Sequence, residues 1–203
     1  MARAKKEEQV TDLGALDMSS VAVIGQIASF EDDNVGFYQK RNKTIPDYAT
    51  EFSAGFDLSV DIEAGDVINK YDHRNQKIEI TARGQDNAPA RLYLEPGDRA
   101  LVPTGLHADI PEGYYIAIHA RSGTSWKQGL ILTNGVAVID ADYVGEIFIS
   151  VTNNSGTRVV LEDGERIAQG LLMPVIKAPF KRLDTKPAQK TSRAGGFGST
   201  GSK

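Results

Sequence analysis

The chain has 203 residues, 40% hydrophobic and 25% charged, with a net charge of −4, which suits one domain with a real core and leaves room for a tail or an insertion. The mildly acidic balance argues against sequence-independent binding of duplex nucleic acid, which relies on many Lys/Arg–phosphate contacts, although a few converging cations and backbone N–H groups can still hold a small polyanion. There is no cysteine, so disulfides, cysteine-ligated zinc, iron–sulfur clusters and a cysteine nucleophile are excluded.

Residues 1–33 read as an extension of undefined role: a polar, mixed-charge start, a short apolar stretch at Val21–Gly25 and the acidic run Glu31-Asp32-Asp33. No apolar core follows the basic residues at the start, and no apolar run reaches the length of a membrane span, so neither a secretory signal nor a membrane partner is expected and the cytoplasm of the producing or host cell is the expected location. From Val35 onward the pattern is strands and turns. Candidate strands are Lys77–Ile80, Arg91–Leu94, Arg99–Pro103, Leu106–Ile110, Tyr114–Ala120, Glu146–Thr152, Arg158–Leu161 and Ile167–Met173, with Ile147, Ile149 and Val151 on one face. Turn signals such as Glu95-Pro96-Gly97-Asp98, Ile110-Pro111-Glu112-Gly113 and Glu162-Asp163-Gly164-Glu165 separate them at close intervals. Many short strands with regular turns predict an all-β sandwich or barrel. One short helix is expected between a Ser122 or Thr124 cap and Gly129. The polar stretch 71–90 reads as a surface loop or an extra hairpin, and the segment 183–203, rich in Gly, Ser, Thr and Lys, as a mobile arm. His73, His107 and His119 are widely spaced and form no zinc-ligand pattern.

Five pieces carry chemistry. The tail Arg193-Ala194-Gly195-Gly196-Phe197-Gly198-Ser199-Thr200-Gly201 combines glycines, hydroxyls, a cation and an aromatic; glycine N–H groups approach phosphate oxygens without obstruction, and Arg adds a charged fork. Its G-x-G-x-x-G spacing lacks the strand before and the helix after that a dinucleotide site needs; a plain flexible tail is the alternative reading. Arg121-Ser122-Gly123 sits between a strand and the short helix, where unsatisfied N–H groups attract phosphate, or where they are simply capped. In the run from Asn134 to Glu146, Asn134-Gly135 reads as a β-hairpin, Asp140 and Asp142 follow, and a carboxylate at a strand end can act as a general base; the plain alternative is a hairpin whose acids cap turns. Ala54–Leu58 and Arg166–Gln169 are weak alone: Asp57 reads as a possible turn residue and Arg166 as a partner of Glu165 or another surface acid.

In this order the five pieces resemble the motifs of the trimeric dUTPase family: A-G-x-D-L at Ala54–Leu58, R-S-G at Arg121–Gly123, N-x-x-G-x-I-D-x-D-Y-x-G at Asn134–Gly145, R-I-A-Q at Arg166–Gln169 and G-G-F-G-S-T-G at Gly195–Gly201. Leu101–Leu106 is similar to the family's stretch before the second motif. The resemblance implies a jelly-roll-like domain over 34–182, an arm at 183–203 that closes the site, and a homotrimer whose active sites are shared. It implies hydrolysis of dUTP to dUMP and pyrophosphate, with Asp140 activating the water that attacks the α-phosphorus. Asn134, Val138 and Ile139 would recognise uracil, Tyr143 would pack on the deoxyribose, and Arg121, Ser122, Gly123 and Gln169 would hold phosphates. Phe197 would stack on the base, with Arg193, Gly198 and Ser199 closing on the triphosphate. Mg²⁺ would arrive on the triphosphate, with Asp57 touching it through water. The chain departs from the pattern at Ala120 for Pro, at Ala137 for Gly, at Thr124-Ser125-Trp126 and in the spacing of Arg193. A deaminase of dCTP on the same fold and a catalytically silent nucleotide-binding module are the competing expectations; Asp140-Ala141-Asp142-Tyr143 favours neither.

Overall fold

The computed structural model describes residues 34–41, 43–84 and 88–192; the extension at residues 1–33, and the roles expected of Arg193, Phe197, Gly198 and Ser199, fall outside them. The described residues form thirteen strands in four antiparallel sheets. The largest has the order β4(Lys77–Thr81), β3(Val67–Tyr71), β6(Arg99–Pro103), β11(Phe148–Asn153), β9(Leu130–Leu132). The second has the order β10(Ala137–Asp140), β8(Tyr114–Ala120), β13(Arg166–Pro174), β2(Phe56–Ser59). Two-stranded ribbons, β1(Gly36–Gln39) with β7(Leu106–Asp109) and β12(Val159–Glu162) with β5(Arg91–Leu94), complete the frame. The expected all-β, jelly-roll-like architecture is what forms.

The strands exist where they do because alternate residues are apolar. Ile147, Ile149 and Val151 are each 1% exposed, as their shared face requires, while Phe148 and Ser150 point outward. One apolar cluster takes Leu58, Ile116, Ile118 and Ile167 from the four-stranded sheet and Ile68, Val102, Leu130 and Ile149 from the five-stranded one, so the two sheets enclose a common core. Burying a side chain of this size contributes about 1.5–3 kcal/mol.

Three local expectations meet the structure differently. The stretch 71–90 begins as a hairpin: β3 pairs with β4, and Asn75 takes φ +62° in the turn between them. The short helix forms as a π-helical segment, Thr124–Gln128, and Gly129 ends it in the left-handed region at φ +67°. No side chain caps its start, however, so the expected cap at Ser122 or Thr124 is absent; Thr124 is buried instead. The hairpin expected around Asn134-Gly135 is also corrected. β9 pairs with β11 and β10 with β8, so the turn carries the chain from one sheet to the other. Among the described residues, no helix is long and apolar enough to cross a membrane.

Candidate functional site

Three motifs meet at one edge of the four-stranded sheet. In β2, Asp57 lies opposite Gln169 of β13, which lies opposite His119 of β8; Arg121 follows directly where β8 ends. Asp57 is thus a strand residue, and its carboxylate is clamped by two guanidiniums. Arg121 Nε lies 2.8 Å from Oδ1 and Arg166 Nη1 2.9 Å from Oδ2. Arg121 Nη1 also donates to the Arg166 carbonyl at 3.2 Å. Arg166 therefore pairs with Asp57, and Glu165 takes the Gln128 amide at 2.9 Å instead. Charge-assisted bonds of this kind are short and directional, so Asp57 sets where the Arg121 fork points.

The result is a cleft of about 540 Å³ lined by Ser53, Gly55, Asp57, Arg121, Ser122, Gly123 and Gln169 among others. It offers a cation, an exposed hydroxyl, an amide and an exposed glycine backbone, which together suit phosphate oxygens. The adjoining helical segment has only five residues, so its dipole adds little and the side chains carry the electrostatics.

Asp140 lies elsewhere. It ends β10 at the opposite edge of the same sheet, opposite Tyr115 of β8, four residues before His119. Three strand spacings across and four residues along place it about 20 Å from Asp57. The β10 residues alternate: Val138 and Asp140 face outward, while Ala137 and Ile139 pack against the core. Ile139 can therefore offer a ligand only its backbone. Because β10 is an edge strand among the described residues, its outer N–H and C=O groups face away from the sheet and can bond a planar amide such as a pyrimidine edge. Asn134 is exposed in the preceding turn, and Tyr143 is 43% exposed just beyond Asp140. The described residues thus gather the groups expected at the phosphates in one cleft and those expected at the base in a second cluster, and do not bring the two together.

Sequence reasoning read Arg166 only as a partner of Glu165 or another surface acid; that acid is Asp57, through which Arg166 serves the cleft. An Arg three residues before a candidate phosphate-binding Gln on the same strand was the available signal. Sequence reasoning passed over Asp61, 2% exposed. Asp61 takes Gln39 Nε2 at 2.9 Å, Arg41 Nη1 at 3.1 Å and Lys43 Nζ at 2.6 Å, so it straps the chain entering the 44–55 loop, one wall of the cleft, to the body. Burial raises the Asp61 pKa, but the hydrogen bonds from Lys43, Arg41 and Gln39 outweigh it and hold the carboxyl below the usual range.

The dUTPase family model matches residues 86–201. The deoxyuridine 5'-triphosphate nucleotidohydrolase of Chlamydia pneumoniae is 35% identical over 157 residues, covering 77% of this chain and 90% of that protein. That of Burkholderia mallei is 39% identical over 158 residues, covering 77% and 88%. The crystal structure of dUTPase from Streptococcus mutans superimposes with a TM-score of 0.54 at 30% identity, over 71% of this chain and 99% of that one. With the motifs in order, the β fold around them and relatives matched along most of their length, the chain belongs to the dUTPase family.

Proposed function

We propose that the protein hydrolyses dUTP to dUMP and pyrophosphate in sites assembled from more than one copy of the chain. The observation that carries the shared site is the separation of about 20 Å between Asp57 and Asp140 along one sheet, too far for one nucleotide's phosphates and scissile bond to be served by a single subunit. In this reading Arg121, Ser122, Gly123 and Gln169 of one copy hold the triphosphate. Asp140 of another takes a proton from the water that attacks the α-phosphorus, a role that its exposure at a strand end permits. Asn134 and the free edge of β10 at Val138 and Ile139 bond the uracil edge. Cytosine presents the reversed donor–acceptor pattern and is refused; thymine is refused by the space its methyl needs. Tyr143 lies against the deoxyribose. The arm 183–203 closes the site with Arg193, Phe197, Gly198 and Ser199, residues 34–182 form the catalytic β domain, and residues 1–33 stand outside it. A homotrimer acting in the cytoplasm on a free nucleotide, without nucleic acid or membrane, completes the reading.

Mg²⁺ suits this site as a companion of the substrate. Among the described residues no cluster of His, Asp or Glu could hold a metal, and both Asp57 oxygens already accept from guanidiniums. Each carboxylate oxygen keeps a further lone pair, so Asp57 fits a contact through metal-bound water. When present, the ion would neutralise phosphate charge.

Mixing two inactive variants tests the shared site. Asp140→Asn and Arg121→Ala, refolded together in equal amounts, should recover about a quarter of wild-type pyrophosphate release from dUTP, because one half times one half of the shared sites then pair two intact contributions. Recovery of nothing above the separate variants would show that each chain works alone. A panel of dUTP, dTTP, dCTP and UTP tests the base and sugar assignments, and ammonia release from dCTP would overturn the reaction class.

A further inference from the structure

We propose that Glu146 and His107 are positioning residues for Tyr143, and that they thereby set the preference for deoxyribose over ribose; the proposal rests on the reading of Tyr143 as the group beside the sugar. Tyr143 stands on a loop between β10 and β11 that has no sheet partners among the described residues, where an aromatic 43% exposed would otherwise sample many positions. The loop instead folds on itself and is stitched down. Tyr143 N–H donates to the Asp140 carbonyl at 3.1 Å and its hydroxyl to the Glu146 carbonyl at 2.8 Å. Its ring lies so close over Gly145 that a side chain there would meet the hydroxyl at 2.8 Å and the ring at 2.9 Å.

What holds this folded loop to the body is a set of contacts from β7 and the turn that leads into it. Glu146 Oε1 accepts from Gly105 N–H at 3.0 Å, and the Glu146 side chain is only 15% exposed. His107 Nδ1 lies 3.0 Å from the Val144 carbonyl; a carbonyl only accepts, so Nδ1 carries the hydrogen and donates. Thr104 Oγ1 donates to the Ile147 carbonyl at 2.6 Å, and Ile147 N–H to the Leu106 carbonyl at 2.8 Å. The anchor point is itself rigid. Gly105 takes φ +65°, and a side chain there would fall 1.9 Å from Asp61 Oδ2, so this turn is pinned against the buried Asp61 network. The Tyr38 ring supports His107 at 5.6 Å between centroids. Lys40 Nζ, 3.8 Å from Glu146 Oε2 but itself 58% exposed, contributes little. A ring held through its hydroxyl and both flanks of its loop leaves a fixed volume beside it, and a fixed volume is what discriminates a sugar with one extra hydroxyl.

The test is kcat/KM for dUTP and for UTP in the full-length enzyme. Glu146→Ala should lower the dUTP-over-UTP preference about tenfold, since displacements of an ångström in positioning groups carry effects of that size or more. Glu146→Gln, whose Oε1 still accepts from Gly105, should keep most of it, and His107→Ala should lower it by a smaller factor. A merely structural role would reduce both substrates alike, with a lower Tm and an unchanged ratio, and that result overturns the proposal. If Glu146→Ala does not fold, His107→Ala with an unchanged ratio does the same. Tyr143→Ala separates the two levels. A changed ratio there, beside unchanged ratios in the other variants, sinks the proposal alone, whereas an unchanged ratio in Tyr143→Ala sinks the reading of Tyr143 itself.

Discussion

At the β2 edge of the four-stranded sheet, Asp57 is held at 2.8 and 2.9 Å by two guanidiniums and opens onto a cleft whose other polar groups come from neighbouring strands. At the β10 edge of the same sheet, Asp140 is exposed and makes no side-chain hydrogen bond or ion pair among the described residues. One half of the site is finished within the chain; the other presents its groups outward. A phosphate cradle profits from being built in advance, because charges must be fixed before a polyanion binds. A base that takes a proton from water needs a lone pair left free, and an edge strand leaves backbone groups free to read a pyrimidine.

If that division is right, the halves should fail differently. Asp140→Asn should lower kcat for dUTP by about 10³-fold, within the range for loss of a general base, while binding of a non-hydrolysable dUTP analogue measured by calorimetry stays near wild type; a matching loss of binding would place Asp140 in the cradle instead. Asp57→Asn removes the charge that aligns Arg121 and Arg166, and should cost about 10²-fold in kcat/KM for every accepted nucleotide alike. A change in the ratio of dUTP to dTTP turnover in that variant would break the separation between phosphate side and base side.

Smaller effects sharpen what supports the cradle. Asp61→Asn breaks the buried network that straps the chain before the 44–55 loop and should destabilise the fold by about 3 kcal/mol in chemical denaturation. Because the folded-state pKa of Asp61 is lowered, its contribution is fully present above the ordinary carboxylate pKa near 4 and is lost as pH falls through the depressed value. Wild type should therefore lose this increment on acidification below about pH 4, and the variant should not. Trp126→Ala should change stability by less than about 0.5 kcal/mol, since Trp126 is 90% exposed; a larger change in thermal unfolding would show a contact that one chain does not contain.

Much of the architecture was legible in the residues. Alternation at Ile147, Ile149 and Val151, and turn chemistry at Glu95–Asp98 and Glu162–Glu165, placed the strands closely because strand periodicity and turn propensity are local properties. The Asn134-Gly135 signal misled for a related reason. It marks a reversal of the chain, and the reversal occurs, but which strands the reversed chain pairs with depends on sheets assembled from residues far away in sequence. Capping by Thr124 failed likewise, because its burial was decided by packing.

Sequence by itself determined the family, through five motifs in order, and the chemical identity of each side chain on offer. Only the tertiary structure decided that Arg166 serves the cleft through Asp57, that Glu146 and His107 hold the Tyr143 loop, and that Asp57 and Asp140 stand at opposite edges of one sheet. Those are relations between residues 37 to 109 positions apart in the chain; local patterning carries no distance between such residues until the strands that bear them are paired.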